Sequence, residues 1–241
     1  MSGKYALLNE WLGNRIGYEI GIKTQLPKWV EIDNKIETED IYIEVKELIN
    51  KSLGVNIGFD FRQNVDEIKK EDFNKFNKKD LNEIFLFDLV MINIDRSPSN
   101  INLMKSEGEI YSIDYESSFL VQEIIENRNL LTNPRILQSL RNNPLYQEVE
   151  ENVIDEFLKK INRISINEIL SEIPEILLPE RNFNLLSKKI EAKQRDDWSL
   201  KELLKKLKTV RLETQEEQME RSRKNRDEFK RKFKKNSAPN I

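Results

Sequence analysis

A short polar loop near the middle of the sequence has the residue types and spacing of a phosphotransfer site. Asp95 and Asn100 are separated by four residues, and Asp114 follows after a stretch that alternates apolar and polar residues. Phosphoryl transfer needs a carboxylate beside the acceptor hydroxyl, and it needs an amide oxygen and a second carboxylate to hold Mg²⁺. The spacing Asp-x₄-Asn places the first two groups at opposite ends of a tight loop, as in kinase catalytic loops. We therefore interpret this region as a candidate catalytic loop.

The same loop, Asp95-Arg96-Ser97-Pro98-Ser99-Asn100, would also make a good surface turn, so the spacing alone is weak evidence. The neighbouring elements favour catalysis. A helix is predicted over residues 79–94 and runs directly into the loop. A β-hairpin is predicted next, with strands over 101–104 and 110–113 and a turn at Gly108, and it delivers Asp114 at the end of its second strand.

Composition excludes several other kinds of chemistry. The chain has no histidine and no cysteine, so histidine-based general bases, catalytic triads, disulfides and thiolate metal sites are impossible. Carboxylates and amides remain, and these are the ligands of hard cations such as Mg²⁺. The sequence has no long apolar run and no signal-peptide pattern at its start, so we expect a cytoplasmic protein without membrane contact.

The remaining pattern predicts an α+β fold that is mostly helical. A helix is expected over residues 5–20, strands over 28–32 and 53–61, a short helix or extended segment over 41–49, and helices throughout the chain after Phe119. Ser165 and Glu168 form a predicted capping box ahead of a helix over 166–173. Residues 199–235 are predicted to form one long charged helix, whose apolar stripe ends near Val210.

That last segment is basic, with fourteen Lys and Arg against seven Asp and Glu over residues 201–235, whereas the whole chain has a net charge of −3. A nucleic-acid-binding helix is one interpretation. Interspersed acidic residues and the lack of interleaved aromatic residues argue against it, and we instead expect a solvated helix or one that docks on a partner protein.

The loop and several flanking motifs resemble the HipA-like kinase family, which is distantly similar to phosphatidylinositol kinases. Phe87-Asp88 and Asn93-Ile94-Asp95-Arg96 resemble its "FD…NxDR" motif. Asn9-Glu10 with Gly17, Gly21, Ile22 and Pro27 is similar to the family's "NE…lG…P" helix, and Pro98–Leu103 is similar to its "PGNLL" segment. Ile113-Asp114 with Phe119 resembles its "IDHGxxF" segment, and Ile173-Pro174 resembles its "eIP" element.

The resemblance implies a role for each matching residue. Asp95 would be the catalytic base, with Asn100 beside it, and Asn100 and Asp114 would hold Mg²⁺. Glu10 would pair with the ATP-binding lysine. The strand and hinge over residues 53–61, including Gly54 and Gly58, would lie beside the adenine of ATP. The implied function is ATP- and Mg²⁺-dependent phosphorylation of a protein Ser or Thr by a bacterial enzyme of the toxin–antitoxin type.

The sequence departs from the family pattern in two respects. The family's glycine-containing hairpin and lysine-bearing strand, which precede the helix with Asn9-Glu10, have no counterpart here. Tyr115 and Glu116 stand where the family has His and Gly. We therefore expect a reduced N-lobe over residues 1–65, a kinase C-lobe over 66–198 with the catalytic loop at 93–119, and a charged helix over 199–241. A partner protein that supplies the absent strands is one possibility, and a pseudokinase or interaction scaffold without turnover is the alternative.

Overall fold

The computed structural model of the chain describes residues 3–36 and 42–214, and beyond these residues 216–217, 219–220, 223–224 and 226. The fold is α+β, with many helices and two small antiparallel sheets, as predicted. The helices are α1 (Gly3–Glu19), α2 (Ile43–Lys51), α3 (Lys78–Met91), α4 (Leu120–Ile125), α5 (Pro134–Arg141), α6 (Glu151–Ile161), α7 (Ile166–Ser171), α8 (Glu180–Arg195) and α9 (Leu200–Thr209). The strands are β1 (Lys28–Ile32), β2 (Gly54–Gly58), β3 (Asp66–Glu67), β4 (Leu103–Ser106) and β5 (Glu109–Ser112).

Helix α3 is the centre of the core. Every residue from Leu81 to Met91 is buried, so the helix is enclosed on all sides rather than along one stripe. Asn77 caps its first turn, because the Asn77 side chain accepts a hydrogen bond from the backbone N–H of Lys79. A helix packed on all sides has little freedom to move, and it therefore gives the loop that follows it a fixed starting point.

Helix α1 packs through small residues and aromatic rings. A Cβ added at Gly13 would lie 2.3 Å from Cγ of Tyr115, so this helix can approach that ring only with glycine at position 13. On another part of the helix, Trp11 stacks on Trp29 of β1 with ring centroids 4.4 Å apart. The helix is therefore packed both against the two-stranded β1–β2 sheet and against the segment that follows Asp114.

The second sheet lies between the catalytic loop and Asp114. Strands β4 and β5 pair with Leu103 opposite Ser112, and the two-residue strand β3 pairs with the other edge of β4. The backbone N–H of Ser112 also donates to the carbonyl of Lys23, at 2.9 Å. This bond ties the hairpin to the segment between α1 and β1.

Most predicted elements agree with the structure, with shifted ends. The predicted helices over 5–20 and 79–94 correspond to α1 and α3, and the predicted hairpin corresponds to β4–β5. After Phe119 the regular elements are helical, as expected, and include α4 to α9. The ambiguous segment at 41–49 is helical, as α2. The capping box before α7 is wrong in detail: Ser165 occupies the N-cap position, but its side chain makes no capping hydrogen bond.

The prediction of one long helix over 199–235 was wrong. Helix α9 ends at Thr209, where Val210 adopts an extended conformation, and residues 210–214 are not helical. The backbone N–H of Glu217 donates to Oγ1 of Thr214, and the N–H of Thr214 donates to Oε2 of Glu217. This reciprocal pair is a capping box, which starts a new helical segment. Residues 215, 218, 221, 222, 225 and 227–235 of the predicted helix lie outside the described residues.

Across the part of the chain that the structure describes, the helices fall short of the length and apolar content that crossing a membrane would require.

Candidate active site

A tight turn brings the two ends of the polar loop together. Ser97 and Asn100 exchange backbone hydrogen bonds of 2.8 and 3.0 Å, with Pro98 at the second position of the turn, where its restricted backbone fits. The chain reverses there, so that Nδ2 of Asn100 donates to Oδ2 of Asp95 at 2.8 Å. The two residues that the sequence analysis paired are therefore in direct contact.

The loop leaves α3 through a strained residue. Ile92 has φ +54°, a left-handed conformation that β-branched side chains rarely adopt. The backbone N–H of the next residue, Asn93, donates to the carbonyl of Asp88 at 2.8 Å. Asn102 and Asp114 also have positive φ, at +51° and +63°. Unfavourable backbone conformations that cluster in this way mark a place where the surrounding structure overrides local preference.

A buried ion pair lies beneath the loop. Nε of Arg96 donates to Oδ2 of Asp88 at 2.6 Å, and both side chains are fully buried. Nη1 of Arg96 donates to the carbonyls of Ile101 and Asn102, and Nη2 donates to Oγ of Ser112. Burial is the largest single influence and would lower the pKa of Arg96, but the charge and hydrogen bond of Asp88, together with Tyr115 and Asp114, outweigh it and hold the pKa above its usual value. Arg96 therefore stays charged and connects α3, the loop and β5.

The Asp88 carboxylate has further donors around it. Nδ2 of Asn93 donates to Oδ1 at 3.0 Å, and Nδ2 of Asn143 donates to Oδ2 at 2.8 Å. Buried charges are stable only when their hydrogen-bonding capacity is met, and these amides help to meet it.

Asp114 follows β5 and lies close enough to Asp95 for their charges to interact. Burial raises the pKa of Asp114, and the negative charge of Asp95 raises it further, whereas the N–H of Glu116 and the charge of Arg96 act in the opposite direction. The left-handed residue here is Asp114 itself rather than Glu116, which occupies the position of the family's glycine. Two carboxylates that repel each other beside an amide oxygen are a donor set that suits a hard cation.

Glu10 of α1 also faces this region. Its Oε2 accepts a hydrogen bond of 2.5 Å from the backbone N–H of Tyr115, and its Oε1 accepts one of 2.8 Å from Nδ2 of Asn14. Burial raises the pKa of Glu10 to about 7 despite these two bonds, and the charges of Asp114 and Glu116 contribute to the increase. The carboxylate thus holds the backbone next to Asp114.

Asn9, the neighbour of Glu10, binds the next part of the same segment. Its Nδ2 donates to the carbonyl of Ser118 at 2.6 Å, and its Oδ1 accepts from the N–H of Val121 at 3.2 Å. Consecutive residues of α1 therefore hold the chain on both sides of the turn after Asp114. This gives a physical reason for the Asn-Glu pair that the sequence analysis singled out.

The two glycines expected beside a nucleotide both lie in β2. Gly54 has φ +99°, which a residue with a Cβ would adopt only with strain. A Cβ at Gly58 would lie 3.0 Å from Cγ1 of Val30 on the paired strand. Each glycine thus has a structural reason for its place, and their role in nucleotide binding stays a prediction.

The structure brings together Asp95, Asn100 and Asp114, with Glu10 beside the last of them. Within the described residues, no three acidic side chains converge on a point where they could hold a metal ion. A Mg²⁺ site here would thus depend on amide oxygens, water and substrate phosphates, as is usual for this ion. The sequence analysis missed the Asp88–Arg96 pair as a functional feature, and it missed Asn102, whose Nδ2 donates to Oδ2 of Asp95 at 3.1 Å.

The fold is thus α+β, and its polar centre is built from carboxylates and amides placed around a helix end and a hairpin. A sequence model of the HipA-like kinase family matches residues 1–219. Because this match spans most of the chain, the protein belongs to the HipA-like kinase family, which confirms the resemblance drawn from the motifs. Comparison with curated proteins found no match.

Family membership supports a kinase-type enzyme, and kinases of this family generally use ATP and Mg²⁺.

Proposed function

We propose that this protein transfers the γ-phosphoryl group of ATP to a Ser or Thr hydroxyl of a protein substrate, with Asp95 as the base. The observation that carries the proposal is the direct bond between Asn100 and Asp95 at the turn, next to a second carboxylate whose pKa responds to Asp95. Such a combination would supply a proton acceptor and two oxygen ligands for a cation, as phosphoryl transfer requires.

In this proposal Asp95 orients the substrate hydroxyl and accepts its proton while the new oxygen–phosphorus bond forms and the bond to the ADP oxygen breaks. Asn100 and Asp114 would hold Mg²⁺ through an amide oxygen and a carboxylate. When bound, ATP would supply the phosphoryl group, and Mg²⁺ would neutralise the charge on its phosphates. Since Nδ2 of Asn100 donates to Asp95, Oδ1 of Asn100 is the atom left for the cation.

The N-terminal part of the site is proposed on the same basis. Residues 1–65 would form a reduced N-lobe, with the adenine beside Gly54 and Gly58, and residues 66–198 would form the C-lobe. The oxygen atoms of Glu10 accept hydrogen bonds from the backbone N–H of Tyr115 and from Nδ2 of Asn14. Among the described residues, no lysine forms an ion pair with Glu10. The ATP-binding lysine would therefore come from outside those residues, and a partner protein is one source.

A second function is a pseudokinase scaffold, and the contacts of Glu10 favour it. Both oxygen atoms of Glu10 accept hydrogen bonds from the chain's own groups, and without an ion pair between Glu10 and a lysine the site would bind nucleotide weakly. The retained Asp95, Asn100 and Asp114 argue against this alternative, because a scaffold has no need for all three.

A melting experiment followed by a turnover assay tests the proposal. Millimolar Mg²⁺-ATP should raise the melting temperature of the full chain through binding to the folded state, and Asp114→Asn should remove the part that depends on Mg²⁺. Labelled ATP with generic protein acceptors then measures transfer. A Mg²⁺-dependent shift without transfer would favour the scaffold. No shift, for the chain alone or for the chain with its neighbouring gene product, would overturn the proposed kinase activity.

A further inference from the structure

The Asp95 carboxylate is held asymmetrically. Its Oδ2 accepts two hydrogen bonds, one from Nδ2 of Asn100 at 2.8 Å and one from Nδ2 of Asn102 at 3.1 Å. Its Oδ1 accepts no hydrogen bond from any described residue. One oxygen is thus fixed by two amides, and the other is left for a ligand.

Asn102 is itself firmly placed. Its backbone carbonyl accepts from Nη1 of the fully buried Arg96 at 2.6 Å and from the N–H of Ile113 at 3.2 Å. Its φ of +51° is left-handed, and asparagine is among the few residues with a side chain that adopt this conformation readily. The backbone geometry and the anchoring of its carbonyl together aim the amide at Asp95.

The two amides are not equivalent. Asn100 is exposed and is the proposed Mg²⁺ ligand, so its position would respond to the cation. Asn102 is half-buried and is attached through Arg96 to Asp88 in the core. A donor attached to the core keeps its geometry when the substrate site fills, which is what a preorganised site needs.

We propose that Asn102 is a positioning residue for Asp95, a role that rests on the proposed function of Asp95 as base. Asn102 holds Oδ2 so that Oδ1 faces the substrate hydroxyl. The hydroxyl proton passes to Oδ1 as the oxygen–phosphorus bond forms.

Two substitutions distinguish the effect of the Asn102 side-chain amide from the effect of its backbone conformation. Asn102→Gly keeps the left-handed conformation and removes the amide, and Asn102→Asp keeps the shape but turns a donor into a like charge facing Asp95. Asn127→Gly is the matched control, because Asn127 is also left-handed, with φ +49°, and its side chain is exposed.

We expect Asn102→Gly to lower kcat about tenfold, which corresponds to about 1.4 kcal/mol in the barrier, with KM for Mg²⁺-ATP unchanged. Asn102→Asp should lower kcat further, and Asn127→Gly should leave both constants unchanged. The melting shift with Mg²⁺-ATP should be the same in the wild type, Asn102→Gly and Asn127→Gly. An unchanged kcat in Asn102→Gly, or a fall matched by loss of the melting shift, would overturn the positioning role.

Crystal structures of the wild type and Asn102→Gly separate this inference from the proposed function. If the wild type binds Mg²⁺-ATP but transfers no phosphoryl group, the proposed function fails. The orientation of the Asp95 carboxylate can still be compared between the two structures, so the positioning role is tested separately. We expect the Asp95 carboxylate to have one orientation in the wild type and to rotate or become disordered in Asn102→Gly. The same single orientation in both proteins would overturn the inference, whatever the turnover.

Discussion

Arg96 and Asp88 form a two-bonded ion pair that is completely shielded from solvent. Nε of Arg96 lies 2.6 Å from Oδ2 of Asp88, and Nη2 lies 3.3 Å from Oδ1. The guanidinium uses its remaining N–H groups on the backbone at residues 101 and 102 and on Ser112. The pair therefore joins the core helix to both the catalytic loop and the hairpin that delivers Asp114.

Asp88→Asn should be strongly destabilising. It leaves the Arg96 charge buried without a counter-charge, and removal of one partner of a buried pair costs about 3–5 kcal/mol. Urea unfolding monitored by circular dichroism measures the change. Asp60→Asn is a matched control, because Asp60 also lies 2.6 Å from its partner Lys28, but those side chains are 78% and 62% exposed. Asp60→Asn should lower the free energy of unfolding by at most about 1 kcal/mol. Equal losses of stability in the two variants would contradict the difference between the buried and the exposed ion pair.

Gly13→Ala should destabilise the protein even though alanine favours helices. The new Cβ would lie 2.3 Å from Cγ of Tyr115, in a buried contact that cannot open without moving the segment after Asp114. Overpacking of this kind costs about 1–3 kcal/mol. Gly3→Ala is the control in the same helix, since nothing lies within 4 Å of its Cβ position. Thermal melting should show a lower midpoint for Gly13→Ala alone, and two unchanged midpoints would contradict the close packing.

Glu10→Gln should change how stability depends on pH. The pKa of Glu10 is about 7 in the fold, against an ordinary value of 4.5, because burial penalises the charged form. Between these values the folded state holds a proton that the unfolded chain has released, so this group's contribution to stability falls as pH rises through the window. Glutamine does not titrate, so the variant lacks this pH-dependent loss of stability.

The measurement is the melting temperature of wild type and Glu10→Gln at several pH values from about 5 to about 8. The melting temperature of the variant should rise relative to that of the wild type as the pH increases. At low pH the variant should be the less stable protein, because glutamine fits Nδ2 of Asn14 less well. Parallel curves over the whole range would show that the pKa of Glu10 is not raised.

Asp95→Asn should lower kcat by about 10²- to 10⁴-fold, the usual contribution of a general base. Asparagine keeps the size of the side chain and can still accept from Asn100 and Asn102 through its oxygen, so the loop should stay folded. The melting shift with Mg²⁺-ATP should persist, which separates loss of chemistry from loss of binding. Full activity in this variant would exclude Asp95 as the base.

The family, the α+β class and the candidate loop were all predictable from the sequence, because each depends on local patterns. Helical periodicity predicted α1 and α3, and alternation predicted the β4–β5 hairpin. The contact between Asp95 and Asn100 was also predictable, since a turn of a few residues with Pro98 in it leaves little choice of geometry. The end of α9 was missed because the charge pattern hid the capping box at Thr214 and Glu217.

Only the tertiary structure decided which distant groups meet. Glu10 contacts the backbone at Tyr115, and Asn9 contacts Ser118, across more than a hundred residues of chain. Nothing in the local sequence around Asn102 shows that its amide faces Asp95, because that depends on a left-handed backbone and on the carbonyl held by Arg96. Spacing along the chain determines what a short loop can do, whereas burial and packing determine which side chains are held in place to do it.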